Sequence, residues 1–312
     1  MTTPQGYFLL KQDNTLKSKK SSYQQLAELV EEKGRPVLQS FEFFELVERL
    51  HSERESRGLL RLSEQADTNS AGRFRRALVK RDIIAPDRDY TGVALRVLAV
   101  RDASAEGIAT LLDPTCYVSH LSAMQRWGFT DRTPRALHLT RPDRVEARKR
   151  LYAFHDKFFA SHKPASHYAG YVPVLVTHPK EVRRRPVSLL ETKQSGENLV
   201  SRSDGVRVAS VAQTFLDTLL RPDLCGGMMH VLDVWGEHAL AHLEDVVRAV
   251  DAAPTAIAKV RAGYILEERL DMSHPTVTSW RKLAQRGGSR VLDPDQPFAP
   301  TFSENWMLSL NV

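Results

Sequence analysis

Five basic side chains fall within twelve residues, Ser70-Ala-Gly-Arg-Phe-Arg-Arg-Ala-Leu-Val-Lys-Arg81, and the chain then runs straight into a candidate β-hairpin, Ile83 to Val100. So much like charge folds only against an apolar stripe. Phe74, Ala77 and Leu78 at i, i+3 and i+4 supply one and predict a short helix with Ser70 as its N-cap. Arg73, Arg75, Arg76, Lys80 and Arg81 are left largely off that stripe. The hairpin follows as Ile83-Ile-Ala, a turn-rich Pro86-Asp-Arg-Asp-Tyr-Thr-Gly92, then Val93-Ala-Leu-Arg-Val-Leu-Ala-Val100. Helix then hairpin is the order of a winged helix-turn-helix, so the first reading is DNA binding. Arg73 and Arg76 lie where a recognition helix meets base edges, Lys80 and Arg81 lie farther along toward phosphate, and Arg88 sits at the hairpin tip within reach of phosphate or a minor groove. The plain alternative is a basic amphipathic helix that is only a solvated face.

Charge supports the first reading. The net charge is +6, and residues 1–101 hold 18 Lys and Arg against 14 Asp and Glu, leaving 26 against 24 for the rest, so the excess is concentrated at the N-terminal end. A length of 312 residues predicts two domains, a DNA-binding domain over 1–101 and a second over 102–312. Residues 1–20, ending in Lys17-Ser-Lys-Lys20, read as a flexible arm. Cys116 and Cys225 alone exclude a disulfide framework and a Cys-rich zinc site, and fit a reducing cytoplasm. No run of eighteen apolar residues exists and the N-terminus lacks the pattern of a signal peptide, so a soluble, cytoplasmic protein with no membrane partner is expected.

Helices are predicted over Tyr23–Glu32, stopped by Gly34, and over Phe41–His51, capped by Ser40. Arg101 to Gly107 reads as the junction. Beyond it a helix is expected over Ser119–Trp127, stopped by Gly128, with strands over Pro134–Thr140, Tyr171–Thr177 and Val187–Glu191, then helices from Ser210 to Leu270. Strands first and helices later give an α+β class: an N-terminal winged helix followed by a larger mixed domain with a helical second half.

Four segments carry a resemblance: Tyr117-Val-Ser-His-Leu-Ser-Ala-Met-Gln-Arg-Trp-Gly-Phe-Thr-Asp131, Val208-Ala-Ser-Val-Ala-Gln-Thr-Phe-Leu-Asp-Thr-Leu-Leu-Arg-Pro-Asp-Leu-Cys-Gly-Gly227, Arg261-Ala-Gly-Tyr-Ile-Leu-Glu267 and Asn305-Trp-Met-Leu-Ser-Leu-Asn311. Together, in this order, they resemble the AbiEi-type antitoxins of bacterial abortive-infection systems. The resemblance implies an N-terminal winged helix that represses its own promoter at inverted repeats, and a C-terminal domain that counteracts a nucleotidyltransferase toxin encoded beside it. The stretch His51-Ser-Glu-Arg-Glu-Ser-Arg-Gly58 departs from that pattern as an apparent insert. On physical grounds Ser119, His120 and Ser122 read as a buried polar contact, Asp217 as a tie from its helix to a neighbour, and Gly226 and Gly227 as the end of one helix and the start of the next.

Enzyme readings have less behind them. Leu189-Leu-Glu-Thr-Lys193 has the strand then Glu-x-Lys form of metal-dependent nucleases, which makes Glu191 and Lys193 the alternative site. The required second carboxylate is missing from Tyr171–Thr177. His238 and His242 are spaced i, i+4, but Ala239 stands where a helical metalloprotease needs Glu. Cys116 and His120, also four apart, read as packing. Arg183, Arg184 and Arg185, and the run of Arg141, Arg144, Arg148, Lys149 and Arg150, read as basic surface of the second domain, open to DNA, RNA or an acidic partner. The expectation is a non-enzymatic antitoxin and autorepressor with no cofactor and no metal; the alternatives are the nuclease and a ligand-sensing transcription factor.

Overall fold

The computed structural model describes residues 20–159, 173–193, 199–285 and 290–312, and the chain is of mixed α+β class. The expected arm, residues 1–20, lies outside the described residues except Lys20, which pairs with Glu28.

The N-terminal part runs α1 (Ser22–Glu32), β1 (Val37–Gln39), α2 (Ser40–Ser52), α3 (Thr68–Lys80), β2 (Ile84–Pro86) and β3 (Ala94–Val97). The three strands form an antiparallel sheet in the order β1-β3-β2. The predicted hairpin is therefore present, with β1 added on its far side. Its core joins Leu26, Leu29 and Val30 of α1, Phe44, Val47 and Leu50 of α2 and Phe74 and Leu78 of α3 to Leu95 and Val97 of the sheet. Two helix caps differ from expectation. Gln39 occupies the N-cap of α2 in place of Ser40, and Asp67 caps α3, accepting from the Ser70 amide at 2.6 Å. Ser70 closes the reciprocal half of that capping box through a bond from the Asp67 amide at 3.0 Å, so it serves the same end from the third helical position. The apparent insert begins inside α2. Its remainder is held by Gln25, whose Nε2 donates to the Arg57 carbonyl at 3.3 Å, and by His51, which bonds the Ser63 carbonyl at 3.0 Å.

The expected junction is shorter than predicted, because Ser104 caps a helix, α4 (Ala105–Leu112), that starts within it. No break in packing marks the passage: Val37, Tyr90 and Ala94 belong to the same apolar cluster as Ile108, Val118, Leu139 and Val208. Arg35 and Gln39 reach across to the carbonyls of Leu111 (3.0 Å) and Leu112 (2.5 Å), satisfying oxygens at the open end of α4.

The second part continues with β4 (Tyr117–Val118), α5 (His120–Trp127), β5 (Leu137–Pro142), α6 (Arg144–Phe159), β6 (Glu181–Val182), β7 (Arg185–Thr192), β8 (Leu199–Ser201), β9 (Arg207–Ala209) and α7 (Val211–Leu220). Its six strands are ordered β6-β7-β5-β4-β9-β8, with β5 and β7 parallel over six residue pairs. The strand expected over Tyr171–Thr177 is absent from its described part: 173–177 run without strand structure, and the Val176 carbonyl accepts from Arg141 at 2.8 Å instead of joining a ladder. Residues 171 and 172 lie outside the described residues.

Helices follow as expected: α8 (Met228–His238), α9 (Leu243–Ala252), α10 (Ala256–Gly263), a π-helical stretch over Tyr264–Arg269 and α11 (Pro275–Ser279). A short pair, β10 (Phe302–Ser303) and β11 (Leu308–Ser309), closes the chain against them. Trp235, Trp280 and Trp306 are buried at the centre of this part. Two segments quoted for the family resemblance meet here. Gly263 lies flat on Trp306, and a Cβ placed on it would sit 2.1 Å from the indole. Asn311 donates from Nδ2 to the carbonyls of Asp293 (2.8 Å) and Gln296 (2.9 Å), and Arg261 donates to those of Leu219 (2.6 Å) and Val291 (3.1 Å). These residues hold backbone together. Gly263→Ala is expected to cost about 2–4 kcal/mol in urea unfolding, because neither a helix backbone nor a buried indole yields cheaply; a loss below about 0.5 kcal/mol would mean that the close approach is wrong.

Candidate functional site

The basic helix presents one face to water. Along α3, Phe74 and Leu78 point inward, Phe74 packing on Tyr23 with ring centroids 5.2 Å apart, while Arg73, Arg76, Lys80 and Arg81 are exposed. These four, with Tyr23 and Ala77, line a shallow depression of about 480 Å³. Arg75 is not among them: two residues from Arg73 on a helix of 3.6 residues per turn, it flanks the buried stripe and is half-buried. Arg81 is partly engaged, donating to the Ala77 carbonyl at 2.9 Å with its guanidinium 4.9 Å from the Tyr23 ring. Among the described residues no carboxylate lies within ion-pairing distance of Arg73, Arg76 or Lys80. The second half of the chain does not bury them.

The hairpin tip is in a different situation. The Arg88 side chain is 62% exposed, its Nε 3.8 Å from Asp89, but the turn on either side of it is fastened to the second part. Arg183 donates to Asp87 (2.6 Å), Asp89 (2.5 Å) and Asp102 (3.0 Å) with its own side chain only 7% exposed. Burial opposes the charge on Arg183, and the three carboxylates more than restore it, raising its pKa. The reading of Arg183–Arg185 as open surface is thus corrected: Arg183 is a buried clamp, Arg185 pairs with Glu106 at 2.5 Å, and Arg184 alone is exposed. Arg183 and Arg184 both take positive φ, +50° and +63°, in the two-residue turn between β6 and β7. Primed hairpin turns need that conformation, and side chains other than Gly or Asn adopt it at a cost of about 1 kcal/mol or more each. The bonds of Arg183 offset that strain.

A second buried chain runs beside the clamp. Arg141, expected on a basic surface, is 3% exposed: its Nε donates to Glu191 at 3.0 Å and its Nη1 to Asp113 at 3.1 Å. Asp113 meets His178 Nε2 at 3.3 Å, and His178 Nδ1 meets the Tyr90 hydroxyl at 2.8 Å, which returns the chain to the N-terminal hairpin. Although burial would raise it, bonds from His178 and Thr115 hold Asp113 down at about 2. Asp113, Cys116 and His178 bring possible metal-ligating atoms within 4.8 Å of one another. The Arg141 guanidinium already occupies Asp113 Oδ2, and burial pushes the Cys116 thiol up, so the neutral or cationic neighbours disfavour an ion there. Glu191 is paired through Oε1 with the Arg141 guanidinium, a cation beside the position a nuclease metal would take, while Lys193 lies exposed on the turn after β7.

Other expectations divide. Ser119 does organise a buried polar contact, bonding His120 Nδ1 at 2.8 Å and accepting from Thr140 at 2.8 Å, and Ser122 accepts from the His138 amide at 3.0 Å. Gly226 and Gly227, at φ +92° and +89°, join a 3-10 turn to α8 as expected. His238 and His242 do not share a helix face, since α8 ends at His238; both rings pack on Phe129. Asp217 does not tie α7 to a neighbour. Its Oδ1 accepts from Gln213 of the same helix at 2.7 Å and its buried Oδ2 has no partner among the described residues. Sequence reasoning missed the clamp and the Arg141 chain, whose acidic members are scattered over Asp87 to Asp113 and on to Glu191, and whose local signal is the Arg183-Arg-Arg run.

A scan of the chain against protein-family models matches none, and a search of curated proteins gives no match.

Arg183→Ala leaves Asp87 and Asp89 without their counter-charge and is expected to cost about 3–5 kcal/mol while raising amide exchange across 87–92. Unchanged stability with unchanged exchange would contradict the clamp. Burial raises Asp217 from its ordinary 3.8 to about 7. Between those values the folded state binds more protons than the unfolded chain, so this group's stability is complete below about pH 4 and is lost as pH rises to about 7. Asp217→Asn is therefore expected to gain about 2–3 kcal/mol on the parent between pH 5 and pH 8 in urea unfolding; parallel stability curves would contradict it.

Proposed function

We propose that the chain is a non-enzymatic antitoxin and autorepressor whose N-terminal part is a winged helix-turn-helix that reads promoter DNA through α3. The observation that carries the DNA half is the exposed face of Arg73, Arg76 and Lys80 on a helix pinned by Phe74 and Leu78 and followed by the β2–β3 pair. A helix of about 10–12 Å diameter with an uncompensated basic face matches the major groove in width and sign. In this reading Arg73 and Arg76 meet base edges, Lys80, Arg81 and Arg88 meet phosphate, and Arg75 supports the helix from its flank. The partner is double-stranded DNA with inverted repeats.

The antitoxin half rests on the resemblance of segments 117–131, 208–227, 261–267 and 305–311, and its partner is a nucleotidyltransferase toxin encoded beside the gene. The nuclease alternative is weakened because among the described residues no grouping of three possible ligand atoms includes Glu191, whose carboxylate is instead paired with the Arg141 guanidinium.

Mobility-shift titration on DNA upstream of the chain's own gene tests the reading. Specific binding is expected to weaken steeply between 50 and 200 mM salt. Arg73→Ala and Arg76→Ala should each cost about 1–3 kcal/mol on the specific site and flatten sequence preference, whereas Lys80→Ala should weaken all sequences alike. Absence of salt-sensitive binding to every upstream fragment would remove the DNA half. Failure of co-expression to relieve the neighbouring toxin would remove the other.

A further inference from the structure

A cavity of about 220 Å³ lies between the β4-β5-β7 part of the sheet and the C-terminal half of α7. Its polar wall is made by His120, Thr140, Glu191 and Asp217, and its apolar wall by Tyr117, Leu190 and Leu220. Asp217 is the unusual member, because it is 6% exposed and still leaves Oδ2 without a partner. An unmatched buried carboxylate oxygen is costly, and a ligand N–H directed at it would recover that cost. Glu191 adds a second acceptor. Its Oε1 is held by Arg141, and no hydrogen bond reaches its Oε2 among the described residues.

The wall selects among ligand classes. Two carboxylates repel a phosphate or carboxylate, and Arg221, the arginine in the wall, already spends Nε (2.9 Å) and Nη2 (2.7 Å) on Asp223. A metal ion is disfavoured by spacing: among the described residues, the grouping that brings three possible ligand atoms together is the one at Asp113, and not these side chains. An aliphatic ammonium would leave the apolar wall bare. The volume falls just below the range of drug-sized pockets, as suits a single flat ring system.

We propose that this cavity binds a nucleobase-sized heterocycle bearing an exocyclic amine, which donates to Asp217 Oδ2 while its ring lies against Tyr117, Leu190 and Leu220. This site is independent of the DNA reading and stands or falls in the free protein. Because Gln213 holds the other oxygen of Asp217, Asp217→Asn would place an amide NH2 where the amine needs an acceptor.

Isothermal titration of the full chain at pH 8.5, above the value of about 7 to which burial raises Asp217 so that its carboxylate is ionised, with adenosine and cytidine against their oxo counterparts inosine and uridine tests it. At least one amine-bearing nucleoside is expected to bind ~tenfold or more tightly than its counterpart, the difference that one hydrogen bond to a charged group supplies. Asp217→Asn should abolish or reverse that preference, and Leu190→Trp, which fills the cavity, should remove binding, with thermal melting confirming that each variant is folded. The proposal is overturned if none of the four nucleosides binds at millimolar concentration, if oxo and amino forms bind alike, or if the folded Asp217→Asn or Leu190→Trp protein binds as the parent does. DNA binding that persists in such a case leaves the DNA reading intact.

Discussion

Arg183 donates to Asp87, Asp89 and Asp102 from a side chain almost out of contact with water, and the placing of the hairpin follows from those bonds. A buried ion pair of this kind contributes little net stability relative to an apolar replacement, yet breaking one side of it is severe, because the stranded charge has nowhere to go. It therefore acts as a register pin: the turn between β2 and β3 has one low-energy seat on the second part of the chain. The strained turn that carries Arg183 is fixed by the same bonds, so the pin and its own support are coupled.

The Arg141 chain makes a second seat for the same hairpin. From Glu191 through Arg141, Asp113 and His178 to Tyr90, charged and polar groups are paired in sequence beneath the sheet. Fully satisfied networks in low dielectric are rigid, and each member is expensive to remove alone. With apolar packing also continuous from Ala94 to Val208, the N-terminal sheet and the second part behave as neighbours joined by specific contacts rather than as beads on a linker. The exposed face of α3 is thus carried on a hairpin whose position the rest of the chain determines.

How much of this was legible in the sequence follows from which forces are local. Helical periodicity placed α1 and α2 within a residue or two and the body of α3, which starts three residues before the position a Ser70 cap implies, since Leu26 and Leu29, Phe44 and Val47, and Phe74 and Leu78 recur at the spacing that buries one face. The β2–β3 hairpin was legible from two apolar strand-like runs on either side of the turn-rich Pro86–Gly92. Caps were less so, because Asp67 and Ser70, and Gln39 and Ser40, are each a residue type or position that could begin the helix, and only the backbone geometry decides which one does. Over 173–177 the expected strand failed because an apolar alternation cannot reveal that Arg141 claims the Val176 carbonyl. Basic runs misled most. Arg183 and Arg141 read as surface by composition, and only long-range acidic partners bury them. At α3 the opposite holds: among the described residues no such partner approaches Arg73, Arg76 or Lys80, so the local pattern and the folded outcome agree there.

In the proposed function α3 meets a double helix while its hairpin stays seated on the second part. The most direct measurement is a ¹H–¹⁵N correlation titration of the full chain with a duplex from upstream of its own gene. The account predicts shifts concentrated in residues 68–81 and at Arg88, with the amides of 183–192 unmoved. Shifts confined to the second part, with α3 silent at saturating duplex, would contradict it.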